Sequence, residues 1–314
     1  MSSAQVAPEL RARLRRSPRL PVYRAPVLRF ARFAIGRLPA PPFAGVTVEQ
    51  YPEVGQGLQV YRPETRRSDA ALLWIHGGGL VMGAVAQDHR QCAGTALELG
   101  IPVVAIEYSK APEHPFPVPL DDCQAAWEWL QEQAAALGVD PSRVAVGGQS
   151  AGGGLAASLI QRLHDQSGGP RPAAQWLHAP MLDDRTAARR DLDSPAHPVW
   201  SNRLNRFGWR SYLGADPGSA APVPPYAVPA RREDLAGLPP AWIGVGEVDL
   251  FLAEDRAYAQ RLSAAGVPTT FHAVPGAPHG FETWASETTI SVEYLAAARA
   301  WLRQTLLDGP ATGT

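Results

Sequence analysis

From Val46 onward, short apolar runs alternate with longer stretches whose apolar positions recur at helical spacing. VTVEQY and GLQVYR open this pattern and read as two strands, followed by the continuous apolar run ALLWI at 71–75. Further strands are predicted at VVAIEY (103–108), RVAVGG (143–148), AAQWLHA (173–179), AWIGVG (241–246) and TTFHAV (269–274). Helices are predicted near 119–137, from about 151 to 165, near 252–265 and at about 287–306. Continuous apolar strands separated by helices mean a parallel sheet covered on both faces. The two opening strands look antiparallel, so the expected architecture is an α/β domain around a mixed, mostly parallel eight-stranded sheet.

Two regions break the alternation. The first 45 residues read as amphipathic helical pieces cut by Pro18, Pro21, Pro26, Pro39 and Pro41–Pro42, and are expected to form an arm on the body. The gap between about Leu182 and Leu238 holds DDRTAARRDLD, then WSNRLNRFGWRSYLG, then PVPPYAVP. A gap this long inside a compact domain points to a lid or a disordered insert. Its aromatics, Trp200, Phe207, Trp209 and Tyr212, argue for an ordered cap segment at about 183–238. Residues 308–314 read as a frayed tail.

Composition narrows the class. With 45% hydrophobic and 19% charged residues, the 314-residue chain is an ordinary globular protein able to bury a full core. A net charge of −1 offers no reason to expect nucleic acid or a membrane surface as partner. The two cysteines, Cys92 and Cys123, lack metal-type spacing and suit free thiols in a reducing compartment. No apolar run approaches the roughly 20 residues of a membrane span. The N-terminal arginines precede APVLRFARFAIGR, which Arg29 and Arg32 interrupt, so no secretory signal is expected and the cytoplasm is the default location.

The candidate chemistry begins at Gly148-Gln149-Ser150-Ala151-Gly152, where an apolar strand turns into a helix. Acyl transfer needs a nucleophile exposed on a sharp, strained strand-to-helix turn, with small residues on either side. The following helix N-terminus favours a developing oxyanion, although a Gly-rich turn of this kind can also cradle a phosphate. His76-Gly77-Gly78-Gly79 follows directly on the strand at 71–75, and consecutive glycines leave N–H groups free to point into a cavity. Both motifs in this order are far more specific than either alone.

A base and an acid are then needed. His279, in Gly276-Ala-Pro-His-Gly-Phe281, lies five residues past strand TTFHAV, in the kind of loop where such sheets bind ligands. His272 falls within the strand and reads as structural, and His164, His178 and His197 have no motif around them. Glu247, Asp249, Glu254 and Asp255 all follow strand AWIGVG, and Asp249 is the candidate acid. The chain order Ser150, Asp249, His279 is the one expected of a serine hydrolase on an α/β sheet.

These motifs resemble the hormone-sensitive-lipase-like group of α/β-hydrolases, a family of bacterial and animal carboxylesterases. The likeness is carried by HGGG at 76–79, APEHPFP at 111–117, GxSAGG at 148–153, VDLFLAED at 248–255 and HGF at 279–281. It implies the α/β-hydrolase fold over 46–314, with a helical cap built from the arm 1–45 and the insert at about 183–238. It also implies oxyanion donors on Gly78, Gly79 and Ala151, with His76 and Gly77 supporting the glycine loop. Three departures stand out: Gln149 where the family often has Asp, YSKAPEH where it often has YRLAPEH, and Asp249-Leu250-Phe251 in place of Asp-Pro-Leu.

The function this implies is hydrolysis of small uncharged carboxylic esters through an acyl-enzyme, with no cofactor and no metal. Amidase, lactonase or acyltransferase chemistry on the same triad is the alternative, and a ligand-binding protein the more distant one. The expected partner is a small-molecule ester, without nucleic acid or a stable membrane anchor. The resemblance leaves a homodimer open.

Overall fold

The computed structural model describes residues 5–15, 21–193, 197–219 and 222–307. The tail expected at 308–314 and parts of the arm, 1–4 and 16–20, lie outside them.

Eight strands form one sheet: β1 (Val46–Tyr51), β2 (Leu58–Pro63), β3 (Ala71–Ile75), β4 (Val103–Ile106), β5 (Val144–Gln149), β6 (Ala174–His178), β7 (Ala241–Gly246) and β8 (Thr269–Val274). Their spatial order is β1-β2-β4-β3-β5-β6-β7-β8. β1 pairs antiparallel with β2, and β2 with β4; every other pair is parallel. The mixed sheet read from the chain is therefore present, with strand ends within a residue or two of those predicted.

The helices are α1 (Pro8–Leu14), α2 (Ala25–Ile35), α3 (His89–Leu99), α4 (Val118–Glu132), the single turn α5 (Ala134–Leu137), α6 (Ala151–Asp165), α7 (Asp184–Ala188), α8 (Asn202–Leu213), α9 (Leu252–Ala264), the short α10 (Phe281–Trp284) and α11 (Thr289–Leu306). Helix α3 was not among the predicted elements. Its sequence HRQCAGTALEL opens on polar residues. Its buried stripe (Cys92, Ala93, Ala96, Leu99) is made mostly of small residues, which give a weak periodic signal.

The period-two alternation of strand side chains divides the core. In β3, Leu72 and Trp74 face one layer with Trp176, Trp242 and the α3 and α11 residues Ala93, Leu99, Ala298 and Leu302. Leu73 and Ile75 face the other, with Leu120 of α4, Leu155 of α6 and Leu262 of α9. The N-terminal arm contributes to both layers. Leu10 of α1 joins the α3/α11 side, whereas Val22 and Leu28 join the opposite one. Among the described residues no helix is long and apolar enough to cross a membrane.

The strand order places the site. From β3 the chain crosses to β4 on one side, and from β4 it returns past β3 to β5 on the other. The loops after β3 and β5 thus emerge side by side at the carboxyl ends of the strands, where open α/β sheets bind ligands. β7 and β8 run parallel to them, so the loops carrying Asp249 and His279 leave from the same edge.

Candidate active site

Ser150 links β5 to α6 with φ 56° and ψ −118°, a backbone conformation that non-glycine residues rarely adopt. The flanking glycines are required by close approach. A Cβ on Gly152 would stand 2.1 Å from the carbonyl oxygen of Ile75 and 2.4 Å from that of His76. One on Gly148 would meet the Gly152 carbonyl at 2.4 Å. The elbow is tied down by Ser150 N–H donating to the His178 carbonyl at 2.8 Å, and by Met181 N–H donating to the Ser150 carbonyl at 2.9 Å.

The Ser150 Oγ lies 2.8 Å from Nε2 of His279, and Nδ1 of the same ring lies 2.7 Å from Oδ2 of Asp249. The second carboxylate oxygen of Asp249 accepts the Phe251 N–H at 2.9 Å, which fixes the rotamer. All three side chains are buried. Burial pushes the His279 pKa down, but the Asp249 carboxylate, through its charge and its hydrogen bond, and Glu282 together lift it above the ordinary value. The neighbouring candidates separate by position. Glu247 is exposed, while Glu254 is spent on the N–H groups of Leu182 and Asp183.

Gly78 and Gly79 have φ of 129° and 62°. The N–H groups of Gly78, Gly79 and Ala151 donate to no group among the described residues. Ala151 is the first residue of α6, where helical N–H groups have no partner within the helix. A Cβ on Gly78 would meet the Met82 carbonyl at 2.0 Å, and one on Gly79 would strike the Trp200 ring at 2.0 Å. Gln149 fills the space between the glycine loop and the histidine loop. Its Oε1 would lie 2.0 Å from a Cβ on Gly77, and its Nε2 3.2 Å from one on Gly280.

His76 points away from the serine. Its ring stacks on Tyr108 at 4.4 Å, its Nδ1 lies 2.7 Å from the Gly77 carbonyl, and its Nε2 lies 3.5 Å from Glu107. Glu107 also accepts from the N–H of Val85 at 2.9 Å and pairs with Lys110. Burial alone would raise the Glu107 pKa, yet His76 and Lys110 hold it down at about 2. Lys110, a departure in the sequence, thus has a partner and a place: it secures the carboxylate that faces the loop histidine.

Two side chains of the site were not singled out in the sequence, and a third was read only as an aromatic of the cap insert. Trp284 donates from Nε1 to the His279 carbonyl at 2.9 Å. Glu282 is buried, with Oε1 unpartnered and its pKa pushed up by burial to about 7. Trp200 covers Gly79. Trp284 and Glu282 fall five and three residues beyond His279, so the HGF motif extended by one helical turn would have found them. Trp200 was read as one of the aromatics of the cap insert, and its place against Gly79 is set by the fold.

A profile described as the alpha/beta hydrolase fold matches residues 72–283. The chain is 34% identical over 290 residues to the esterase LipI of Mycobacterium tuberculosis, covering 90% of this chain and 84% of that protein. It is also 34% identical over 255 residues to the carboxylesterase NlhH of the same organism, covering 79% and 78%. Among solved structures it superposes on a bacterial heroin esterase with a TM-score of 0.89 at 34% identity, covering 98% of this chain and 99% of that one. With a matched elbow, glycine loop, sheet order and these relatives, the chain belongs to the α/β-hydrolase fold family, in the hormone-sensitive-lipase-like group its motifs resemble.

Proposed function

We propose that this carboxylic ester hydrolase acts through Ser150 as nucleophile, His279 as general base and acid, and Asp249 as the carboxylate that orients the imidazole. The observation that carries the assignment is the unbroken contact from Ser150 Oγ to His279 to Asp249, at 2.8 and 2.7 Å, mounted on a strained elbow. His279 Nε2 takes the serine proton as Oγ attacks the ester carbonyl. The N–H groups of Gly78, Gly79 and Ala151 receive the oxyanion, and His279 returns the proton to the departing alcohol. Water, activated by the same imidazole, then releases the acid and frees Ser150.

The cap is part of the same proposal. The arm 1–45 and the insert 183–238 meet over the site, where the Arg203 guanidinium of α8 stacks on the Tyr23 ring at 3.9 Å. Both contribute to one apolar cavity, also lined by Trp284, whose Nε1 donates to the His279 carbonyl. Small uncharged esters suit that lining, and the two buried thiols, Cys92 and Cys123, fit a reducing, cytoplasmic setting.

The test is Ser150→Ala assayed on a nitrophenyl ester. Triad removal costs on the order of a million-fold in a serine protease, and a comparable loss with an unchanged circular dichroism spectrum is expected. Near wild-type turnover in that variant would end the assignment.

A further inference from the structure

The whole-chain charge of −1 conceals a strong asymmetry. Between Leu10 and Val48 stand nine arginines and not one carboxylate, so the remaining chain carries ten more acidic than basic residues. Part of the arm's charge is neutralised where it meets the body. Arg13 pairs with Glu287, and Arg32 pairs with Glu113 at 2.9 Å. Arg24, Arg29 and Arg37 are exposed and pair with no carboxylate among the described residues.

Helix α2, which carries two of these three cations at or beside its ends, is apolar on two opposite sides. At about 3.6 residues per turn, Leu28, Ala31 and Ile35 share one side, and Pro26, Phe30 and Phe33 share the other. The first side faces inward: Leu28 and Ala31 join the core, and Ile35 lines the apolar cavity under Trp200. The second faces solvent. Phe30 and Phe33, 65% and 56% exposed, are the most exposed large apolar side chains among the described residues. The Arg37 guanidinium sits over the Phe33 ring, 3.7 Å from its centre. Two neighbouring aromatic rings left in water are unfavourable, and such patches mark contact surfaces.

We infer that the outer face of α2 docks the enzyme on bilayers rich in anionic headgroups. Phe30 and Phe33 enter the boundary between headgroups and acyl chains, while Arg29 and Arg37 stay among the phosphates. Charge complementarity selects this occupant. A second copy related by a two-fold axis would set Arg29 and Arg37 against their own counterparts, with no carboxylate in the patch to receive them. Nucleic-acid bases need open ring faces for stacking, and Arg37 already covers one face of Phe33. One short helix gives reversible attachment rather than an anchor. The other side of the same helix belongs to the site, since Arg32 donates to the Val81 carbonyl at 2.7 Å beside the glycine loop. The docked enzyme thus turns its cap toward the membrane, where apolar esters concentrate.

The experiment is co-sedimentation of the full chain with vesicles of phosphatidylcholine, alone or with one-third phosphatidylserine. The expected result is partitioning at least tenfold stronger onto the serine-containing vesicles, weakening as salt is raised. Arg29→Gln with Arg37→Gln should lower that partitioning by at least tenfold, at roughly fivefold for each basic residue near an anionic surface. Phe30→Ser with Phe33→Ser should lower it by about tenfold or more, through lost apolar burial. Both double variants should melt as wild type does, because the changed side chains are exposed. Absence of binding, equal binding to the two vesicles, or binding unchanged by the phenylalanine pair overturns the inference. So does a concentration-dependent dimer in analytical ultracentrifugation that the phenylalanine pair abolishes, or capture of a single-stranded oligonucleotide in preference to the vesicles. The wild-type comparison of the two vesicles stands even if a variant fails to fold.

Discussion

Arg32 of α2 donates from Nε to the carbonyl of Val81, two residues beyond Gly79, at 2.7 Å. Its Nη2 reaches the Ala111 carbonyl at 2.7 Å and Glu113 at 2.9 Å. One guanidinium thus clamps the arm to the glycine loop and to the APEHPFP segment together, using its fork of donors. Arg32→Ala should lower kcat/KM on simple esters by on the order of tenfold, since charge-assisted bonds of this kind contribute roughly 1.5–3 kcal/mol. Arg32→Lys should recover only part of the loss, because a single ammonium cannot hold three divergent acceptors. Kinetics of the two variants beside wild type check this, and unchanged kcat/KM in Arg32→Ala would remove the clamp from the account of the site.

The choice of acid can be tested directly. Asp249 contacts His279 Nδ1 and is locked by the Phe251 N–H, whereas Glu247 is exposed. Asp249→Asn keeps the shape but loses control of the tautomer, which costs about 10⁴-fold in a trypsin-like triad. A loss approaching that size is expected, with Glu247→Gln close to wild type. Were Glu247→Gln the crippled variant, the acid would have been misassigned.

Much of this was legible in the chain because the constraints are local. GxSxG reports a steric fact, that Gly152 has no room for a Cβ against Ile75 and His76, and sterics of that kind cannot be met by other residues. Strand runs such as AWIGVG are buried along their whole length and so are visibly apolar. What escaped was set by distant contacts. Trp200 matters because α8 and its approach lie over Gly79, and Lys110 because it meets Glu107 and His76. The arm was read as an arm on the body, but which of its residues do what was not legible, because its amphipathic pattern is the same whether it lines a cavity or fills the core, and it does both.

The pH dependence has a definite sign. Only neutral His279 can accept the serine proton, so kcat/KM rises with pH through the His279 ionisation. Because Asp249 and Glu282 lift that pKa, the midpoint should lie above the ordinary 6.5. Glu282→Gln removes one of the anions that retain the proton, and the midpoint should move down. The same substitution bears on stability. Glu282 holds its proton to about 7 in the folded protein, against an ordinary 4.5, so its contribution to stability is full below about 4.5 and lost as pH rises through 7. Melting curves across that window should decline less steeply with pH in Glu282→Gln than in wild type. A midpoint that rises, or an unchanged decline, would show that Glu282 does not interact with the triad as its burial implies.

The arm should divide into a structural half and a substrate half. Leu10 is fully buried in the α3/α11 layer, and Glu9 accepts the first N–H groups of α11, from Thr289 and Ile290, at 3.1 Å each. A carboxylate there satisfies two orphan donors and complements the helix dipole. The Ala7 N–H is bonded to the Gly276 carbonyl, three residues before His279. None of these groups lines the apolar cavity that ends on Trp200 and Trp284, while Tyr23 and Ile35, farther along the arm, do. Leu10→Ala should therefore destabilise the protein by about 2–5 kcal/mol, the usual cost of such a truncation in a core. The preference between hexyl acetate and ethyl acetate should stay as it was. Tyr23→Ala should do the reverse, raising KM for hexyl acetate while the melting temperature moves little, since its ring is only half-buried. Denaturant melts and the two-substrate ratio, measured on both variants, separate the halves. If Leu10→Ala shifted the substrate ratio without loss of stability, the whole arm would have to be read as cap.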